Sequence, residues 1–188
     1  MTLYTLALFL HIVGAIGVFI GVSTWLFVAV ALRRAQQVAQ VRALSSLIKP
    51  TGMLTIVSLL LLGVAGFYMA LTVWGEHGEQ VTWIIVATIS FLLLAPFGAF
   101  LIDPRLRRVA KAAAASPDGL LPAALAAQTR DPLVGVGLST YVGVLLGIVF
   151  LMTNKPPLLT AISAMVIATV LGLAIGLPVW NAASGVSE

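Results

Sequence analysis

A single histidine lies well inside the first long apolar segment of the chain. His11 follows the start of that segment, Leu3, by about 12 Å at the rise of an α-helix. The imidazole can ligate haem iron or another metal or carry a proton, and Gly14 one turn away leaves room beside it. A neutral His11 can instead bond a hydroxyl group or a backbone carbonyl of another helix. Both interpretations stay open at this point.

A second group of potential ligands lies in the short connection between the second and third apolar segments. Glu76, His77 and Glu79 offer oxygen and nitrogen donors that a divalent cation can bind weakly. Gly75 and Gly78 leave this turn without a fixed geometry. We therefore predict solvated charges here and no metal site.

The residue types exclude several classes of chemistry. The chain has no cysteine, which rules out disulfides, thiolate metal sites, thiol nucleophiles and cysteine-attached haem. No pair of carboxylates lies within an apolar segment, and no glycine-rich phosphate loop or nucleophile triad occurs. We predict no catalytic residue. His11 is the one candidate for cofactor binding. A second haem ligand would be a methionine sulfur, and the candidates are Met53, Met69, Met152 and Met165.

Composition identifies lipid as the main solvent of this chain. Hydrophobic residues make up 61% of its 188 residues and charged residues only 9%. An average soluble domain has roughly 25% charged residues. The apolar residues also fall in blocks near the ~20 residues that cross the hydrocarbon core of a bilayer. These features predict an integral membrane protein.

Five apolar blocks define the predicted fold. We expect an all-α integral membrane bundle of five transmembrane helices that forms a single domain over residues 1–188. Pro96 removes one backbone hydrogen bond and should bend the third span near Leu92. The first block lacks a basic start and is too long for a signal peptide, so we interpret it as an uncleaved span. The predicted spans cover residues 3–32, 51–74, 81–102, 133–152 and 158–180.

Two polar segments between the spans are expected to carry short amphipathic helices. In the segment 33–49, apolar residues recur at helical spacing, which predicts a helix at the membrane interface. The segment 105–132 contains a basic cluster, an alanine run, a turn and a second short helical stretch. The apolar residues of the first segment are Val38, Val41, Leu44 and Leu47.

The distribution of basic residues sets the expected orientation. Nine of the ten Lys and Arg residues lie in the first and third connections, and the second connection has none. Because basic loops stay on the cytoplasmic side, we place the N-terminus outside and the C-terminus in the cytoplasm of a bacterial inner membrane. The charges form no stripe that follows a nucleic-acid backbone, so we expect no nucleic-acid partner. Asp103 is expected to cap or pair with Arg105 or Arg107.

Small residues recur every three or four positions in three predicted spans. This spacing lets two helix backbones approach closely, which supplies dispersion contacts in lipid. We interpret the stripes as packing faces between neighbouring spans, with a homo-oligomer or membrane-complex face as the alternative. The stripes are Gly14, Gly17 and Gly21 in the first span, Gly135, Ser139, Gly143 and Gly147 in the fourth, and Thr160, Ala164, Ala168, Gly172 and Gly176 in the fifth.

Three short motifs resemble a family of predicted bacterial integral membrane proteins of unknown function. The resemblance covers most of the chain in order. It implies a membrane location and a helical architecture and leaves any reaction open. The motifs are LHIVGA from Leu10 to Ala15, DPRLRR from Asp103 to Arg108 and VFLMTNKP from Val149 to Pro156.

The first motif is also similar to the opening of two other groups of small membrane proteins. These are the copper-resistance D type and the HemJ-like protoporphyrinogen oxidases, in which a first-span histidine matters. In the HemJ-like group this histidine works with a lysine in a later span, and no predicted span here contains a lysine. The resemblance therefore implies location and architecture but not haem-precursor oxidation.

The combined features favour a non-enzymatic or accessory membrane component embedded in the lipid bilayer. Its interior near His11 is expected to hold haem or a small ligand. The alternative is a haem-dependent membrane oxidoreductase or a copper-handling permease.

Overall fold

Helices make up the architecture of the part of the chain that the computed structural model describes, residues 2–74 and 81–181. No strand occurs in these residues, and five helical stretches are long and apolar enough to cross a membrane. The predicted all-α, five-span fold class is confirmed. The helices are α1 (Leu3–Arg34), α2 (Val38–Ser45), α3 (Ile48–Met69), α4 (Thr82–Pro96), α5 (Asp103–Ala115), α6 (Ala123–Thr129), α7 (Pro132–Asn154) and α8 (Leu158–Asn181).

Capping residues fix where the first and fourth spans begin and end. The Thr2 hydroxyl accepts a hydrogen bond from the Thr5 amide at 3.2 Å, which caps α1. The Asp131 carboxylate accepts from the Leu133 amide at 2.9 Å, and Pro132 fits the first position of α7 because no amide hydrogen is needed there. Lys155 ends α7 in the left-handed conformation, with φ 49°.

Pro50 and Pro96 both lie within helical spans. Pro50 lies in the first turn of α3, where it costs no backbone hydrogen bond, so the helix begins before it. The third span continues through Pro96, and its hydrogen-bond pattern becomes π-helical over Phe97–Ile102. A π-helical stretch is one way to accommodate a missing hydrogen bond within a span. The span then runs directly into α5, so the basic cluster of the third connection is helical.

The spans pack as neighbouring pairs. Helix α1 lies against α3 along much of its length, and α7 lies against α8 in the same way. Contacts between α1 and α7 join the two pairs, and α4 packs on both α7 and α8. The main buried cluster contains Val18 and Val22 of α1, Leu138 of α7 and Leu106 of α5, so it extends from the spans into the polar segments.

The first and third connections form a joint layer, which we call the polar layer and define as α2, α5 and α6. Val38 and Val41 of α2 are fully buried in the main cluster, and α2 packs on α5. The backbone amide of Val38 donates to the Gly119 carbonyl at 3.1 Å, which ties the two connections together. We predicted that the apolar face of α2 would meet the membrane interface. Most of that face is instead covered by protein, because α5 supplies a matching apolar surface.

Candidate functional site

The glycine face of α1 packs against hydroxyl and backbone groups of α3. A Cβ atom added to Gly14 would lie 2.7 Å from the backbone nitrogen of Leu62 and 2.9 Å from the carbonyl oxygen of Ser58. At Gly17 it would meet the Ser58 hydroxyl, and at Gly21 the Thr55 hydroxyl. The Ser58 and Thr55 side chains are buried. Helices α1 and α3 therefore come closest at the glycines of α1, and the buried hydroxyl groups of α3 lie within this interface.

His11 lies in the N-terminal part of α1, at one end of the same interface. Its Nδ1 atom is 2.9 Å from the carbonyl oxygen of Leu62 on α3, and the contact is partly buried. A carbonyl oxygen can only accept a hydrogen bond, so Nδ1 carries the hydrogen. In the neutral imidazole, Nε2 then keeps its lone pair and can accept a hydrogen bond or ligate a metal.

Gly66 of α3 provides the space for the imidazole ring. A Cβ atom at Gly66 would lie 2.8 Å from Cε1 and 2.9 Å from Nδ1 of His11. Any larger residue at this position would displace the ring. Gly14, which the sequence suggested as the neighbour that opens room, contacts the backbone of α3 instead. Gly66 was missed because it is 55 positions away from His11 in the sequence, and no pattern in either segment pairs it with the histidine.

The structure does not gather a larger ligand set around His11. No group of three His, Asp or Glu side chains that could hold a metal occurs within residues 2–74 and 81–181. The Met165 sulfur lies against Gly147, in the α7–α8 interface, and Met53 is 70% exposed. The candidate cluster of Glu76, His77 and Glu79 lies outside the described residues.

Helices α7 and α8 pack closely because each has a glycine facing the other helix, Gly143 on α7 and Gly172 on α8. A Cβ atom at Gly143 would lie 2.5 Å from the carbonyl oxygen of Ala168 and 3.0 Å from Cα of Gly172. At Gly172 it would lie 2.8 Å from Cα of Thr140 and 2.8 Å from the carbonyl oxygen of Ser139. The obstacles here are backbone atoms.

Several other members of the two stripes are also buried or lie against the facing helix. A Cβ atom at Gly147 would lie 2.9 Å from Cβ of Ala168, and at Gly176 it would lie 3.0 Å from Cα of Val136. Gly135 is buried in α7, and Ala164 is partly buried in a second cluster with Met165. Gly143, Gly147, Gly172 and Gly176 thus meet the facing helix of the same chain, whereas Thr160 is exposed.

Three ion pairs involve arginines of the polar layer, Arg42 of α2 and Arg105 and Arg107 of α5. Two of them, Arg42 with Asp118 and Arg105 with Asp131, link parts of the chain that are distant in sequence. Asp103 pairs with Arg107, one turn further along α5, so its contact is local and structural. The pairs are Arg42 Nη1 with Asp118 Oδ1 at 2.8 Å, Arg105 Nε with Asp131 Oδ2 at 3.3 Å, and Arg107 Nε with Asp103 Oδ2 at 2.6 Å.

Five long apolar helices, glycine-mediated helix contacts and a basic layer at one end define a multi-pass α-helical membrane protein. The chain belongs to the DUF2269 family, described as predicted integral membrane protein, which matches residues 5–156. The resemblance to a family of predicted integral membrane proteins of unknown function is confirmed. No curated protein and no solved structure matches the chain.

Proposed function

We propose that this protein is a single five-span domain of the bacterial inner membrane that acts as a non-enzymatic or accessory component and binds one ligand through Nε2 of His11. The observation that carries the proposal is the 2.9 Å contact between His11 Nδ1 and the Leu62 carbonyl oxygen. It fixes both the tautomer and the position of the ring.

This hydrogen bond is the arrangement that supports metal ligation by imidazole. A ligating histidine usually donates its other N–H group to a carbonyl or carboxylate, which orients the ring and raises its basicity. In this chain Leu62 supplies that acceptor and Gly66 supplies the space. One imidazole fits attachment of haem iron on one side, and haem would supply the redox chemistry when bound.

A haem-dependent oxidoreductase or a copper-handling permease draws less support from the same residues. Either function is expected to use additional ligands or proton carriers beside the histidine. The described contacts of His11 are with a backbone carbonyl and a glycine. The ligand-binding proposal needs only the imidazole that the structure positions.

Titration of the detergent-purified protein with haemin tests the proposal. We expect a saturable shift of the Soret band at one haem per chain, lost in His11→Gln because the amide cannot replace imidazole as an iron ligand. His77→Gln is the matched control, since it makes the same change at the only other histidine and should titrate like the wild type. If the Soret band does not shift with the wild type, or shifts equally with His11→Gln, the proposal is wrong and His11 has only a structural role.

The orientation is tested by cysteine labelling, which is simple because the chain has no cysteine. We expect His77→Cys to react with a membrane-impermeant maleimide in intact cells and Ser116→Cys to react only after the cells are lysed. The reason is that the connection carrying Ser116 is basic and should stay in the cytoplasm. Labelling of Ser116→Cys in intact cells would reverse the proposed topology.

A further inference from the structure

A groove lies between α1 and α2, where the first span meets the polar layer. Its volume is about 530 Å³, within the range of roughly 300–1,000 Å³ typical of small-molecule sites. The α1 side of the groove is a single helix face, because its residues follow the spacing i, i+3, i+4, i+7. The residues that matter below are Phe27, Val30, Ala31 and Arg34 of α1, and Gln40 and Ala43 of α2.

The groove changes from apolar to polar along α1. Phe27, at one end, is 72% exposed, and Arg34 lies seven residues further along the helix. Seven residues correspond to about 10 Å along the helix axis. If Arg34 lies at the level of the lipid phosphates, Phe27 lies among the acyl chains, since the headgroup layer is only roughly 5–7 Å thick on each side.

The polar end of the groove offers hydrogen-bond donors and positive charge. Arg34 is not a partner in the ion pairs of Arg42, Arg105 and Arg107, and its side chain is exposed. The Gln40 amide oxygen accepts from the backbone amides of Gln36 at 2.9 Å and Gln37 at 3.3 Å. Only the NH₂ group of the Gln40 side chain is therefore left for a ligand. No acidic residue lines the groove.

We infer that this groove binds one anionic phospholipid of the surrounding bilayer. The headgroup phosphate contacts the Arg34 guanidinium and the Gln40 NH₂ group, and an acyl chain lies along Phe27, Val30 and Ala31. Charge complementarity selects an anionic lipid, because the groove presents a guanidinium and no carboxylate. The site is independent of His11, which lies in the opposite half of α1.

Native mass spectrometry of the full chain, purified in detergent and mixed with phosphatidylglycerol or phosphatidylcholine, tests the inference. We expect one retained phosphatidylglycerol per chain and weaker retention of phosphatidylcholine. Arg34→Gln should lower phosphatidylglycerol retention about fivefold, while Arg34→Lys should keep most of it. Arg108→Gln is the matched control, since it removes the same charge from α5, outside the groove.

The apolar part of the site is tested without a change of charge. Ala43→Trp fills the groove and should lower retention of the lipid, whereas Ala39→Trp on the same helix, which does not line the groove, should not. Equal retention of the lipid by Arg34→Gln and the wild type would overturn the site. So would a loss in Arg108→Gln as large as that in Arg34→Gln, or a loss in Ala39→Trp as large as that in Ala43→Trp. Displacement of the lipid by millimolar inorganic phosphate would overturn the assignment to a lipid.

Discussion

The two main helix interfaces of this protein look alike in sequence and differ in what fills them. Both have a stripe of small residues, and both bring backbones close. In the α1–α3 interface, Gly17 and Gly21 face the hydroxyl groups of Ser58 and Thr55. In the α7–α8 interface, Gly143 faces the backbone of Ala168 and Gly172. Spacing of small residues thus predicts that helices approach closely, but the partner residues decide whether the contact is polar.

The difference has a consequence for function. Hydroxyl and imidazole groups lie between α1 and α3 at Gly17, Gly21 and Gly66, although Gly14 meets the backbone of α3. Between α7 and α8, Gly143 and Gly172 meet backbone atoms that cannot rotate aside. Close-packed interiors have low compressibility and transmit strain. We therefore expect the α1–α3 interface to contain the binding site and the α7–α8 interface to contribute mainly to stability.

The largest effect is expected from Gly143→Leu. Its side chain would collide with the Ala168 carbonyl oxygen, 2.5 Å from the Cβ position, so α7 and α8 must separate. Overpacking typically costs about 1–3 kcal/mol, and thermal denaturation in detergent followed by circular dichroism measures the loss. Leu146→Ala is the control on the same helix, since Leu146 is 56% exposed. Equal melting temperatures for both variants would remove the close-packing argument.

A smaller effect is expected from Gly17→Ala, and it should be reversible. The added methyl group would meet the Ser58 side chain, so Ser58→Gly in the same chain should restore the melting temperature. At the other interface, Gly143→Ala should not be rescued by Ala168→Gly, because the obstacle is the Ala168 carbonyl oxygen. Double-mutant cycles measure both couplings. Rescue at both interfaces, or at neither, would show that they do not differ in this way.

The smallest effect on stability, but a clear effect on His11, is expected from Gly66→Ala. The methyl group would lie 2.8 Å from Cε1 of the imidazole, so the ring must leave the Leu62 carbonyl. The ring-nitrogen chemical shifts of ¹⁵N-labelled histidine report the loss of this hydrogen bond. Gly63→Ala is the control, because its methyl group would lie 3.5 Å from Phe91, an ordinary contact. Unchanged His11 shifts in Gly66→Ala would contradict the described geometry.

Hydropathy was sufficient to predict the spans because each contains enough consecutive apolar residues to cross a bilayer on its own. The stripe that includes Gly14 was predicted to pack on a neighbouring span, but its partner Ser58 on α3 was not, since hydrophobicity does not choose among apolar neighbours in lipid. His11 was identified from its residue type and depth alone. Its acceptor at Leu62 is a backbone atom, and a backbone carbonyl leaves no signal in the sequence.

The polar layer was predicted as two separate loops for a similar reason. Arg42 donates to the Ala113 and Ser116 carbonyl oxygens and pairs with Asp118, more than 70 residues later. Periodicity identifies an amphipathic helix, but it does not show whether lipid or protein covers the apolar face. In this protein the covering helix comes from the third connection.

That distance along the chain has a consequence during synthesis. The apolar face of α2, with Val38 and Val41, is finally buried by the polar layer, but α5 ends only at Ala115. At about 5–20 residues per second, the ribosome delivers these partners roughly 4–15 s after α2. During that interval α2 is an amphipathic helix without a protein partner, so we expect it to lie on the lipid surface beside the first span. Arrival of the third connection then replaces lipid with protein, and the newly made helix moves from the bilayer surface into the fold.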